Sequence, residues 1–442
     1  MELPSLAPLR QTTPQPVVND LAGEVRCQWQ NSRLSQRLRR GDRVAVAVGS
    51  RGIANLAVIV RATVDALRDL GAQPFVVAAM GTHGGATAEG QRQLLAGYGV
   101  TEQALRVPVK TDMTTVQLGT NSWGEPVFWD KNAYEADAVV TLSRIKPHTD
   151  FRGRYESGIV KMLVIGLGKR DGAAQHHRWG FRGLRDMIPE TVKVVLEKTR
   201  FAAGLAILEN AREQTALVKV VDRDDLLDEE PRLLDQARSL MGRLPFEQLD
   251  LLVIGEIGKN YSGAGIDPNV VGRLLIEGQP LTPTPLPQGE RGWGEGPRIT
   301  RICALDLSPE SHGNGTGVGI ADLTTDRLLA QIDPVPFRMN NLTACFLWRS
   351  KLPFSFPTDH DCIETGVKTC WQPNSQALRM AIVPNTLELA ELWVSPALRA
   401  EARRQPHLEV TGELCPLPFD AAGNLEQEKL FPHSVRGRRN SR

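Results

Sequence analysis

Arg51 in "GSRG", His83 in "GTHGGAT" and His148 in "SRIKPHTDFRG" each lie in a polar loop directly after a short apolar run. A guanidinium fork grips a carboxylate through two parallel hydrogen bonds. Imidazoles with an unperturbed pKa of about 6.5 can take and return a proton near neutral pH. One cation and two imidazoles at a common rim would therefore suit acid–base chemistry on a small carboxylate. Lys161 stands where the polar loop of His148 gives way to the apolar run "MLVIGLG". A lysine there is partly desolvated, which favours its neutral, nucleophilic form. The same placement suits a lysine whose stem covers a buried helix while its charge stays in water. His176 and His177, adjacent in "GAAQHHRWGF", fit a pair on a helix surface. Four of the eight histidines fall between positions 83 and 177, and that concentration favours the chemical reading.

Alternating elements must position these residues. "DRVAVAVG" (42–49), "QPFVVAAM" (73–80) and "ADAVVTL" (136–142) read as buried strands. "IANLAVIVRATVDALRDLG" (53–71) has helical apolar spacing and ends on Gly71, and "TAEGQRQLLAGYG" (87–99) is a second helix with Thr87 at its N-cap. Strand and helix in alternation predict βαβ units and a parallel sheet. In open α/β sheets ligands bind outside the carboxyl ends of the strands. If the three strands are neighbours, Arg51, His83 and His148 share one edge. A second cycle begins at "LDLLVIGEIG" (249–258) and resumes at "ITRICALDL" (299–307). The expectation is an α/β fold with two domains, each a largely parallel sheet flanked by helices, and an active site in the cleft between them. The domains would span 1–246 and 247–395, with 396–442 as a tail whose basic end "SVRGRRNSR" is solvated. "GQPLTPTPLPQGERGWGEGP" (278–297) is too rich in Pro and Gly for a core element and reads as a flexible insertion.

Composition narrows the function class. The chain has 442 residues, 41% apolar and 23% charged, with a net charge of +1. That balance favours neither nucleic acid nor a membrane surface as a partner. The six cysteines include no C-x-x-C pair and read as reduced thiols of a cytoplasmic protein. The N-terminus carries no apolar signal-peptide core, and no apolar run reaches membrane-spanning length. "GLGKR" fails as a P-loop, because Leu163 holds the first Gly position and Arg170 follows the lysine. "NYSGAG" fails as a nucleophile elbow, because Asn260 holds the first Gly position.

In this order, "GSRG", "GTHGGAT", "KPHTDF", "SGIVKM" and "HH" resemble the nickel-pincer lactate racemase family, over roughly residues 15 to 400. "KNYSGAGIDPNVVGR" and "SPESHGNGTGVGIAD" look like a paralogous branch of it. The resemblance implies a racemase or epimerase of a 2-hydroxy acid, lactate-like or a sugar acid, working by hydride transfer to and from a nickel pincer nucleotide. That cofactor is Ni(II) held by a pyridinium thioamide/thioacid mononucleotide. The resemblance further implies that Lys161 anchors it covalently, that His177 ligates nickel with His176 in reserve, and that Lys146 helps hold its phosphate. His83 and His148 take the positions of the alternating bases, and Arg51 that of the carboxylate grip. Cofactor-biosynthesis proteins would be transient partners. A planar pincer plus one imidazole suits the square-planar preference of Ni(II).

The sequence departs from the lactate enzymes at Val48, where they carry an acidic residue, and at Ile159, where they carry a second glycine. Which 2-hydroxy acid is bound therefore stays open. Lys259, Asn260, Ser262, Asp267, Asn269, His312 and Asn314, in glycine-rich loops of the second cycle, are further candidates for ligand contact. Two alternatives stand beside this reading. One is a nickel-free enzyme of the same fold, a hydro-lyase or dehydrogenase. The other is a silent protein that binds a hydroxy acid or nucleotide.

Overall fold

A computed structural model of the chain describes residues 3–49, 52–274 and 296–440. Arg51 and most of the Pro/Gly-rich insertion lie outside them. The chain divides into two compact units, one of residues 15–241 and one of residues 1–14 with 242–442.

The first unit is built on the apolar runs named above. They form β2 (Arg43–Val48), β3 (Gln73–Ala78) and β7 (Ala138–Arg144), each buried almost throughout. With β4 (Val109–Lys110), β8 (Phe201–Glu209) and β9 (Thr215–Asp222) they make a six-stranded sheet in the order β4-β3-β2-β7-β8-β9. All pairs are parallel except β8–β9. The middle strands are buried on both faces, which is why they read as continuous apolar runs. Helices α1 (Leu21–Gln30) and α2 (Leu56–Asp69) cover one face, packing Val25, Trp29, Ile59 and Val60 on the sheet. Gly71 follows α2 with a φ of 83°, the left-handed residue that ends a helix cheaply. Thr87 caps the next helix by accepting from Gly90 N at 3.1 Å. A hairpin of β5 (Thr115–Thr120) and β6 (Pro126–Asp130) stands apart from the sheet.

Beyond β7 the chain forms a short helix α3 (Ile159–Lys161), which runs on through a wider turn at 162–166, and then α4 (Lys169–His177). Two longer helices follow, α5 (Ile188–Lys198) and, after the last two strands, α6 (Leu226–Leu240).

The second unit has an eight-stranded sheet. Its parallel portion is β13 (Phe354–Phe356), β12 (Leu323–Thr325), β11 (Arg298–Ala304), β10 (Gln248–Ile254) and β14 (Met380–Val383), in that spatial order. It continues antiparallel through β15 (Glu391–Val394), β1 (Ala7–Gln11) and β16 (Leu408–Val410). The N-terminal strand thus belongs to this sheet. The basic C-terminus differs from the solvated end expected of it. Helix α7 (Val435–Asn440) places Arg436 Nη1 2.6 Å from Asp306 Oδ2 and Nε 3.0 Å from Glu428, so a guanidinium among carboxylates holds the segment down.

Candidate functional site

The order β3-β2-β7 makes the three strands neighbours, and all run parallel. The loops after them therefore leave the same edge of the sheet. α3 and the turn after it lie across that edge: Gly81 N donates to Gly166 O at 3.1 Å, and a Cβ on Gly49 would fall 2.9 Å from the Met162 side chain.

His148 sits in the loop after β7. Lys146 and Ser157 close this loop by pairing their backbones at 3.1 and 3.2 Å. Glu156, almost wholly buried, holds the loop from inside by accepting from His148 N at 2.6 Å. The His148 ring packs on Phe151 with centroids 4.6 Å apart. Its Nδ1 accepts from Asp150 N at 3.1 Å, and the Asp150 carboxylate lies 3.9 Å away. Its Nε2 meets Lys161 Nζ within hydrogen-bonding reach.

The two adjacent histidines have different surroundings. His176 is buried, its Nδ1 2.8 Å from Gly172 O and its Nε2 3.1 Å from the Thr191 hydroxyl, so both nitrogens are engaged. His177 keeps a sealed Nδ1 with no hydrogen-bond partner among the described residues. Burial, with the positive charge of Lys161 second, pushes its pKa down to about 4. Burial does the same to His176. At neutral pH His177 is thus an uncharged imidazole beside Lys161 with an open, solvent-free nitrogen. A metal ligand needs that protonation state. Among the described residues no cluster of three or more His, Cys, Asp or Glu could hold a metal ion.

His83, half-buried, lies in the loop after β3, where Gln91 Nε2 reaches its carbonyl at 3.3 Å. Lys146 is exposed. Arg51 falls outside the described residues, but its neighbours are tied down. Gly52 O accepts from Arg144 Nη1 at 2.5 Å, and Ala54 N donates to Glu209 at 2.6 Å. Arg144 in turn pairs with Glu209 at 2.6 Å, so this ion pair holds the backbone at Gly52 and Ala54. Lys259, Asn260, Ser262, Asp267, Asn269, His312 and Asn314 belong to the other unit, where Lys259 Nζ donates to Gly263 O at 2.5 Å and to Asn340 Oδ1 at 3.0 Å.

Two buried charges went unremarked in the sequence. Lys169 is fully buried and pairs with Asp130 at 2.8 Å. Glu230 of α6 accepts from Val160 N at 2.9 Å, one residue before Lys161, and its other oxygen lacks a hydrogen-bond partner among the described residues. Burial pushes the pKa of Glu230 up to about 7. The folded chain therefore holds this proton where the unfolded chain, with a pKa of about 4.3, has released it. Between about pH 4.5 and 7 the folded state binds more protons, so this group's contribution to stability is lost as pH rises. Relative to Glu230→Gln, which cannot ionise, the wild type should lose up to about 3 kcal/mol of stability across that window. Parallel urea titrations of the two proteins check this. A difference that stays constant with pH counts against it.

The fold and this edge define an α/β protein with largely parallel sheets flanked by helices and a lysine–histidine site at the strand ends. Residues 19–185 match the lactate racemase N-terminal domain family. Among solved structures, it is similar to the lactate racemase apoprotein from Thermoanaerobacterium thermosaccharolyticum, at 13% identity and a TM-score of 0.51, over 88% of this chain and 96% of that one. A protein from Thermotoga maritima aligns at 14% identity over 56% of this chain and 65% of that one, with a TM-score of 0.42. No curated protein matches the chain. Among the described residues no helix is long and apolar enough to cross a membrane.

Proposed function

We propose that the protein is a racemase or epimerase of a 2-hydroxy acid that uses a nickel pincer nucleotide attached at Lys161. The observation that carries this reading is the group formed by Lys161, His148 and His177. An amine meets an imidazole, and beside it lies a neutral histidine with an orphaned, sealed nitrogen. That donor set fits the cofactor. Lys161 would anchor it, His177 would supply the nickel ligand through Nδ1, and Lys146 would reach its phosphate. His176 is spent on Gly172 and Thr191. When bound, the group supplies reversible acceptance of hydride from C2 of the substrate.

The chain's own residues do the rest. Arg51 grips the substrate carboxylate through two hydrogen bonds and keeps it fixed while the C2 substituents change face. His148 exchanges the hydroxyl proton through its imidazole ring. The Asp150 carboxylate, 3.9 Å from Nδ1, balances the ring's charge when both nitrogens are protonated. His83 does the same for the mirror-image hydroxyl. Neither His148→Ala nor His83→Ala should retain more than about one part in 10² of the turnover, in either direction. Chiral chromatography of the product reads this, and a variant that keeps near-normal rates removes that histidine from the mechanism.

The histidines act on the hydroxyl and not on C2. Substrate deuterated at C2 and turned over in ordinary water should therefore keep its label. Wash-out would assign the C2 proton to a histidine and overturn the reading.

A further inference from the structure

We infer that α6 is the element that sets the geometry of the catalytic loop, with Glu230 and Arg238 as positioning residues for Lys161 and His148. The inference rests on the function proposed above. Leu227, Glu230 and Arg238 fall within one narrow arc of the helix, since positions three and eight residues apart lie close together around a helix of 3.6 residues per turn. Each of the three holds a different piece of residues 146–161.

At the start of α6, Leu227 O accepts from Tyr155 Oη at 2.8 Å and from Arg154 Nη2 at 3.1 Å. One turn on, Glu230 accepts from Val160 N at 2.9 Å. This is a free N–H group of the first turn of the helix that carries Lys161, so the carboxyl fixes where that helix begins. Gly158 makes the approach possible, because a Cβ there would come within 2.4 Å of Glu230 Oε1. Two turns further, Arg238 Nη2 donates to Glu156 Oε1 at 2.6 Å. The other oxygen of Glu156 accepts from His148 N at 2.6 Å, and Arg152 lies 3.6 Å from it. Glu156 is thus a relay. Its position is set by Arg238, and it sets the backbone of His148.

Lys161 and His148 meet only because both backbones are held from the same side. Glu230 holds one and the Arg238–Glu156 pair holds the other. A helix needed only for stability would bury only apolar side chains along this arc. Beside Leu234 this one also sets a carboxyl and a guanidinium on the loop, where their directional bonds define register as apolar contacts cannot.

The test uses the full chain purified without cofactor, so that its outcome is separate from that of the proposed function. Acylation of Lys161 by a small N-hydroxysuccinimide ester is followed by peptide mass spectrometry, with exposed Lys193 as internal reference. Carbethoxylation of His148 is followed in the same way, against exposed His407. Glu230→Ala should free the helix start, separate Lys161 from His148 and raise the Lys161 rate by about fivefold or more. Glu230→Gln keeps an acceptor for Val160 N and should return the rate to near the wild-type value. Arg238→Met should raise the His148 rate, and Arg238→Lys should recover part of the change. Leu233→Ala, which removes a buried apolar group from α6 outside the arc, should lower the melting temperature and leave both rates alone. The proposal is overturned if Glu230→Ala leaves Lys161 unchanged or slower, or if Leu233→Ala moves either rate as much as the charged variants do. If Glu230→Ala does not fold, Glu230→Leu is compared with Glu230→Gln by the same labelling. Equal Lys161 rates in that pair also overturn the proposal. Absence of a cofactor adduct on loaded wild-type protein would sink the proposed function and leave these labelling results as they stand.

Discussion

On the proposed function, Lys161→Ala should abolish covalent loading and take turnover to background, the largest change in activity expected of any single substitution here. One imidazole binds nickel weakly, and among the described residues no set of three ligands could compensate. On the proposed function, retention of the group would therefore rest on the bond through Lys161 Nζ. Lys161→Arg tests the role further. It keeps a positive charge and a long stem, yet a guanidinium is not nucleophilic at neutral pH and should fail as completely as alanine. The measurement is intact mass of protein from a host able to make the cofactor. Wild type should carry an adduct of several hundred daltons, and both variants none. Because Lys161 is only half-buried, both should melt close to the wild type, which separates lost chemistry from lost fold. An adduct mapped to Lys146 or Lys169 would sink the assignment. Lys169 is a poor acceptor on physical grounds, being fully buried and bonded to Asp130.

The strands that carry the site were legible because each is a continuous apolar run, and a parallel sheet buried on both faces demands such runs. β2, β3 and β7 lie within a residue or two of where the pattern placed them. β1 was not legible. It is five residues long with Pro8 and Arg10 inside it, and its partners lie nearly four hundred residues away. Nothing local announces a pairing of that range. The two adjacent histidines could not be separated by type. They differ only in what surrounds each nitrogen, which Gly172 and Thr191 decide for His176. Glu230 did leave a signal. Leu226, Leu233, Leu234 and Ala237 form the buried stripe of α6, and Glu230 interrupts it at a core position. A carboxylate in an apolar stripe is costly unless bonded, so its presence marks a partner. Arg238 gave no such sign, because an arginine near the end of a helix is ordinary. Basic residues at a chain end likewise suggest solvent. The docking of Arg436 depends on Asp306, more than a hundred residues earlier, which no local pattern links to it.

Lys169→Met should be the most damaging single change to stability, by about 3–5 kcal/mol. The Lys169 ammonium lies 2.8 Å from Asp130 Oδ2 and donates to Ala78 O at 2.6 Å, and neither side chain of the ion pair is exposed. Methionine has similar length and fills the space, so the loss is electrostatic and not a cavity. It strands Asp130 in a site where burial already raises its pKa and Lys169 is the chief group holding it down. The position also matters to the edge that bears the site. Lys169 begins α4 at a φ of 53°, and its bond to Ala78 O ties that start to the end of β3, while His177 lies at the other end of the same helix. Asp130 itself cannot be spared simply, since it caps a helical turn by accepting from Ala133 N at 2.7 Å. Asn at 130 keeps that acceptor and carries no charge. The double variant Lys169→Met with Asp130→Asn should therefore recover much of the loss, as removing both charges of a buried pair costs far less than removing one. Urea unfolding of the two single variants and the double variant completes the cycle. A loss of under about 1 kcal/mol in Lys169→Met, or a double variant no better than the single, would show that solvent reaches the pair after all.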